Sequence, residues 1–107
     1  MQSVKRYQPE RAIQSAILQY LQLRGHLVWR NVNRGFKLST GKWIPSAVVG
    51  VPDIIGLQKG TGKFIGIEVK ANRNKLTEAQ SEFLEHINSM GGIGLVAYSV
   101  DDVMNLL

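Results

Sequence analysis

Apolar positions recur at helical spacing near the start of the chain. In "PERAIQSAILQYLQLRG", Ile13, Ile17, Tyr20 and Leu21 share one side, Pro9 suits a first turn and Gly25 a C-terminal stop. This stretch predicts a helix packed against a sheet. Glu10 and Gln14 continue the row of Ile17 and Leu21 at steps of four and three, extending the buried stripe toward the helix N-terminus, where they look into the protein. A carboxylate at that end also suits the positive end of the helix dipole. "HLVWRNV" predicts a first strand, with Trp29, flanked by apolar residues, expected in the core. The following "NRGFKLSTGKWIPSA" has no sustained period and predicts a long basic loop over residues 33–47. "VVGVPDIIGL" and "KFIGIEVKA" predict the second and third strands, joined by the turn "QKGTG" into an antiparallel hairpin. "KLTEAQSEFLEHINSMGG" predicts a second helix, with Thr77 and Gln80 spaced as a capping box, Phe83, Leu84 and Ile87 apolar, and Gly91 and Gly92 as its stop. "IGLVAYSV" is a fourth strand, and "SVDDVMNLL" a short closing helix opened by a cap from Ser99 to Asp102. The predicted order is α-β-β-β-α-β-α, an α/β class.

Length and composition narrow the possibilities. With 107 residues, 44% of them hydrophobic, the chain predicts one domain over 1–107. No apolar run approaches the roughly 20 residues that span a bilayer, and "MQSVKRYQPE" has no apolar segment like a signal peptide, so a soluble, intracellular protein with no membrane partner is expected. The chain has no cysteine and only two scattered histidines, His26 and His86, which leaves oxygen as the donor for any metal. Charge is divided unevenly: residues 1–52 carry +7 and residues 53–107 carry −2. Between Glu10 and Asp53 there is no acidic residue, but there are Arg11, Arg24, Arg30, Arg34, Lys37 and Lys42, with Trp29, Phe36 and Trp43 among them. That mixture suits phosphates and unstacked bases, although a basic surface also serves solubility.

Candidate chemistry lies in the hairpin. In "GIEVKAN", Ile65, Ile67 and Val69 belong to one strand face, Glu68 and Lys70 to the other. Alone, that charged face reads as solvated. Asp53, however, follows Pro52 in the preceding strand, and pairing through "QKGTG" brings Asp53 and Glu68 together near a sheet end with Lys70 beside them. Two carboxylates that close repel unless a cation sits between them, and hard divalent ions favour such oxygens. Phosphodiester hydrolysis is the reaction this set supports, with Lys70 orienting or deprotonating water and stabilising developing charge, and Glu10 arriving from the first helix. "GLQKGTGK" is no phosphate-binding P-loop, because five residues separate Gly56 from Gly62 and Phe64 follows the lysine. His86 is expected on the polar face of its helix.

The run Gly50-Val51-Pro52-Asp53 followed by Glu68-Val69-Lys70 resembles the PD-(D/E)XK nucleases, the fold of restriction endonucleases. More narrowly, "ERAIQSAIL", "LRGHLVWRNV", "GVPDIIGL", "IEVKAN" and "LTEAQSEFLEHINSMGG" resemble the virus-type replication-repair nuclease domain, VRR-NUC, from Glu10 to about Asp102. The resemblance implies a restriction-endonuclease-like core around a central mixed sheet. It implies Asp53 and Glu68 as metal-binding carboxylates, the Val69 carbonyl as a further ligand, Glu10 as the acidic residue of the first helix and Lys70 as the catalytic lysine. Gln80 matches the family's glutamine in the second helix, with a capping role also open to it; Gln14, at the edge of the buried stripe, is a further catalytic candidate that could instead satisfy backbone groups. Mg²⁺, with Mn²⁺ able to substitute, is the implied cofactor, and no nucleotide is expected. The implied substrate is branched DNA, a four-way junction or flap, cut by a homodimer in replication, recombination or repair. Candidate DNA contacts are Arg30, Arg34, Lys37, Lys42, Arg73 and Lys75. A bacterial or phage-encoded protein of the host cytoplasm fits the size. The principal rival is a DNA-binding module on the same fold without catalysis.

Overall fold

The computed structural model describes residues 9–32, 35–45, 48–72 and 74–107. Helix α1 (Glu10–Leu23) buries Ile13, Ile17 and Leu21, three residues at successive steps of four, and Gly25 ends it at φ +92°. Strand β1 (Leu27–Arg30) follows, then the short pair β2 (Phe36–Lys37) and β3 (Trp43–Ile44), the hairpin β4 (Ile54–Leu57) and β5 (Phe64–Val69), helix α2 (Glu78–Ser89), strand β6 (Ile93–Ala97) and helix α3 (Asp101–Met104). Four strands form the central sheet in the order β1-β4-β5-β6, antiparallel at the first two pairings and parallel between β5 and β6, and so mixed.

Register assigns each side chain to a face. Val28, Ile54, Ile65, Ile67, Val69 and Ala97 lie on the side covered by α1 and form the core with its three apolar residues. The opposite side carries α2, and there glycine replaces bulk. A Cβ on Gly66 would come 2.5 Å from Ile87 Cδ1 and 3.1 Å from Pro52 Cγ, and one on Gly94 would come 2.8 Å from the Leu84 carbonyl. Gly66 and Gly94 are partners across β5 and β6, so the two together form a shallow floor on which α2 sits close. His26 ties this architecture at its far end: Nδ1 accepts from the Lys59 amide at 3.0 Å, leaving Nε2 to donate to the Leu107 carbonyl at 3.4 Å.

Several expectations are corrected. The stretch after β1 is not structureless: β2 and β3 pair as an antiparallel ribbon, with Phe36 opposite Ile44 and Lys37 opposite Trp43. Its turn closes through Leu38 N to Lys42 O at 2.8 Å, with Gly41 at φ +91°. The order α-β-β-β-α-β-α describes the central sheet and helices once this ribbon is set aside. The second sheet strand begins at Ile54 rather than Val48, because Gly50 turns the chain at φ +84° and Pro52 has no amide to pair. Trp29 is not core but 48% exposed, since β1 is an edge strand and Trp29 faces away from α1. Ser99 does not cap α3. The Asp102 carboxylate instead accepts from the Tyr98 amide at 2.8 Å.

Candidate active site

Ile54 pairs with Ile67, so the same antiparallel register sets Asp53 opposite Glu68, one step beyond the paired segment. Asp53 is held from both sides. Its carbonyl accepts from the Asn31 amide at 2.8 Å, just past β1, and its Oδ2 accepts from the Val69 amide at 2.8 Å. The loop that delivers it is seated on α2: Pro52 is fully buried beside Gly66, and a Cβ on Gly50 would collide with the Ala79 carbonyl in the first turn of that helix. Only glycine satisfies both this approach and the positive φ.

Glu68 is 3% exposed, and its Oε2 is buried without a hydrogen-bond partner. Burial is the main cause that drives its pKa from 4.5 up to about 9; hydrogen bonding with Asp53 and repulsion by that carboxylate add to it, Lys70 opposes it, and Glu10 adds again. These four side chains therefore share one electrostatic environment. Lys70 is half-buried one residue past β5, where its amide donates to the Ala97 carbonyl at 3.0 Å. Glu10 reaches the same end from α1, its Oε1 accepting from the Ala71 amide at 3.3 Å.

The other candidates separate. Gln14 Oε1 accepts from Arg30 Nε at 3.0 Å, and Ser15 Oγ accepts from Arg30 Nη2 at 3.0 Å, so the first helix holds this guanidinium in place. Register puts Arg30 on the α1 side of the sheet, opposite to Asp53 and Glu68. Gln80 completes the capping box: Thr77 Oγ1 accepts from its amide at 3.2 Å, and its own Oε1 accepts from the Thr77 amide at 2.9 Å. Lys37, Lys42 and Lys75 are exposed. Arg34 and Arg73 lie outside the described residues. The clamp on Arg30 and the Glu10 contact with Ala71 are features that sequence reasoning missed, because both join residues far apart in the chain; the spacing of Glu10 and Gln14 on one helix row was their one visible trace.

Among the described residues, no three acidic or histidine side chains gather as a ready ligand group. The donors nevertheless fit a hard divalent cation. Asp53 and Glu68 present paired carboxyl groups, one with an unpartnered buried oxygen, beside the Val69 main chain, and Mg²⁺ commonly takes one or two carboxylates with phosphate and water supplying the rest. A mainly apolar cleft of about 810 Å³ lies elsewhere, against α2 and the β4–β5 turn, lined by Val49, Phe64, Phe83, His86, Ile87 and Met90. Neither carboxylate lines it, so the chemistry is located by charge and donors rather than by cavity size.

A mixed sheet has a buried Glu68 opposite a half-buried Asp53 at the end of an antiparallel hairpin, with Lys70 two residues past Glu68, an arrangement compatible with an α/β nuclease. The chain belongs to the VRR-NUC domain family, whose model matches residues 8–101. Membership makes DNA the substrate, a nuclease reaction the role and a divalent metal the general requirement. A search of curated proteins finds no match for this chain.

Proposed function

We propose that this protein is a Mg²⁺-dependent DNA endonuclease, selective for branched structures such as four-way junctions or flaps. The observation that supports this reading best is the buried, unpartnered Oε2 of Glu68 set opposite Asp53. A carboxyl oxygen left unpartnered there is costly, whereas a cation would satisfy it. Asp53, Glu68 and the Val69 carbonyl would hold the ion, with Glu10 close enough in charge to bind a second ion or a water. When bound, the ion polarises the phosphoryl oxygen and neutralises charge developing on it. Lys70 orients the attacking water, accepts its proton when neutral, and stabilises negative charge on the phosphoryl group when protonated. Asp53, tied to the Asn31 and Val69 main chains, keeps the constellation rigid through the reaction.

Four-way junctions have two-fold symmetry, and a homodimer would bring one site to each of two strands. Cytoplasmic action in a bacterial or phage-infected cell accords with this role. The test is cleavage of a labelled junction, a flap and a matched linear duplex with Mg²⁺, Mn²⁺ or chelator, alongside sedimentation of the free protein. Cutting that needs metal, favours the branched substrates and disappears in Asp53→Ala is the expected result. Binding without cutting in every metal would leave a DNA-binding module.

A further inference from the structure

Residues 36–44 form a two-stranded ribbon whose faces are both left open. Phe36 is 59% exposed and Trp43 58%, and Lys37 and Lys42 are exposed between them. An isolated two-stranded ribbon is marginal in water and normally leans on a third element. Here β2 and β3 contact each other chiefly, and Gly35 lets the chain approach β3, since a Cβ there would collide with the Ile44 carbonyl. Cross-strand partners share a face, so Lys37 stands beside Trp43 on one side, while Phe36 and Ile44 occupy the other. An indole with an ammonium group next to it offers a base a stacking surface and offers the following phosphate a counter-charge.

Charge favours nucleic acid over protein as the occupant. No acidic residue lies between Glu10 and Asp53, so the ribbon itself carries only cations among its charged side chains and suits phosphate. The ribbon also leads to the reactive end of the sheet: it joins β1 to β4, and Trp29, 48% exposed, shares the sheet face of Asp53 and Glu68. A fully paired duplex keeps its bases stacked inside and shows such aromatics only sugar and phosphate. Unpaired nucleotides show them a π-face.

We infer that the β2–β3 ribbon is a binding site for unpaired nucleotides, with Trp43 stacking on a base and Lys37 holding the adjoining phosphate. It would thereby make the enzyme prefer DNA with single-stranded segments at the branch. This rests on the nuclease reading only in taking DNA as the ligand. Lys37 and Trp43 are exposed, so their side chains can be replaced without opening the core.

The experiment measures binding in chelator, by fluorescence anisotropy, to a blunt duplex and to the same duplex with an unpaired thymidine overhang. Stacking one base is worth about 1–3 kcal/mol, so Trp43→Ala should weaken overhang binding by roughly 5- to 150-fold. Blunt-duplex binding should change less than about twofold, and Trp43→Phe should restore most of the difference. In a Trp29→Phe background, the overhang but not the blunt duplex should quench Trp43 emission. Equal losses on both DNAs, no loss on either, or no DNA binding at all overturn the inference. A change in sedimenting mass in Trp43→Ala would also overturn it, by making the ribbon a contact between copies of the chain. Repeating the comparison as cleavage in Mg²⁺ and Mn²⁺ separates the two readings. Cutting that ignores Trp43 removes the ribbon's role alone, whereas overhang binding that needs Trp43 without any cutting preserves it and removes the nuclease.

Discussion

Glu68 occupies a position where its ionised form is poorly accommodated, and that shapes its response to pH. Its folded-state pKa is raised from 4.5 to about 9, chiefly by burial and then by Asp53. Between those values the native protein holds a proton that the unfolded chain has lost, so this group's contribution to stability is full below about 4.5 and declines as pH rises toward 9. Glu68→Gln can donate to Asp53 as the protonated acid does and carries no such slope. In metal-free protein it should be more stable than the wild type by about 1–3 kcal/mol near pH 8, with the gap closing near pH 5, as read from thermal midpoints. Mg²⁺ should raise the wild-type midpoint, most strongly at high pH where no proton competes, and leave that of Glu68→Gln nearly unmoved. Asp53→Ala should behave oppositely: it frees the Val69 amide, lowers stability by about 1–3 kcal/mol and abolishes cleavage while DNA binding is kept or tightened.

Helix α2 positions the site through its first turn. Thr77 and Gln80 satisfy each other's amides there, and Thr77→Ala should cost about 1 kcal/mol in denaturant unfolding. The same box bears on the role of Gln80, because glutamate serves at that capping position equally well. Gln80→Glu should keep both stability and cleavage near wild type if capping is its whole role; a folded protein with lost cleavage would place its amide at the substrate. The seat of the Asp53 loop is a separate device. Gly50→Ala forces a Cβ into the Ala79 carbonyl at a positive φ, and the loop must move away from α2. Cleavage should fall far more than the fraction folded, since displacement by about 1 Å is enough to spoil catalytic geometry.

Across the whole molecule, bases are concentrated in the first half of the chain and acids in the second, at +7 and −2. The fold sets the two against each other: the basic ribbon leaves the sheet next to the strand end that holds Asp53 and Glu68, so that phosphates drawn to one are led to the other. Each phosphate neutralised on an unpaired strand contributes about 0.7 to the salt slope of binding. Lys37→Ala combined with Lys42→Ala should therefore reduce the slope of overhang binding by about 1.4; an unchanged slope would mean that neither lysine touches phosphate. Among the described residues, no helix is long and apolar enough to cross a membrane.

Local patterns carried most of this in the sequence itself. The period of Ile13, Ile17 and Leu21 marked α1, the Thr77–Gln80 spacing marked the cap of α2, and alternation in "FIGIEVK" divided core residues from the charged pair, since each depends only on nearby residues. The turn between two alternating runs also sufficed to bring Asp53 and Glu68 together. The tertiary structure decided what depends on distant partners. Trp29 looked like core from its neighbours, yet its exposure is set by β1 lying at a sheet edge. Gln14 and Arg30 each allowed several roles until α1 was laid across β1 and joined them. The burden on Glu68 likewise has no local signature, because an oxygen is left without a partner only when strands and helices close around it and exclude the water that would otherwise bind there.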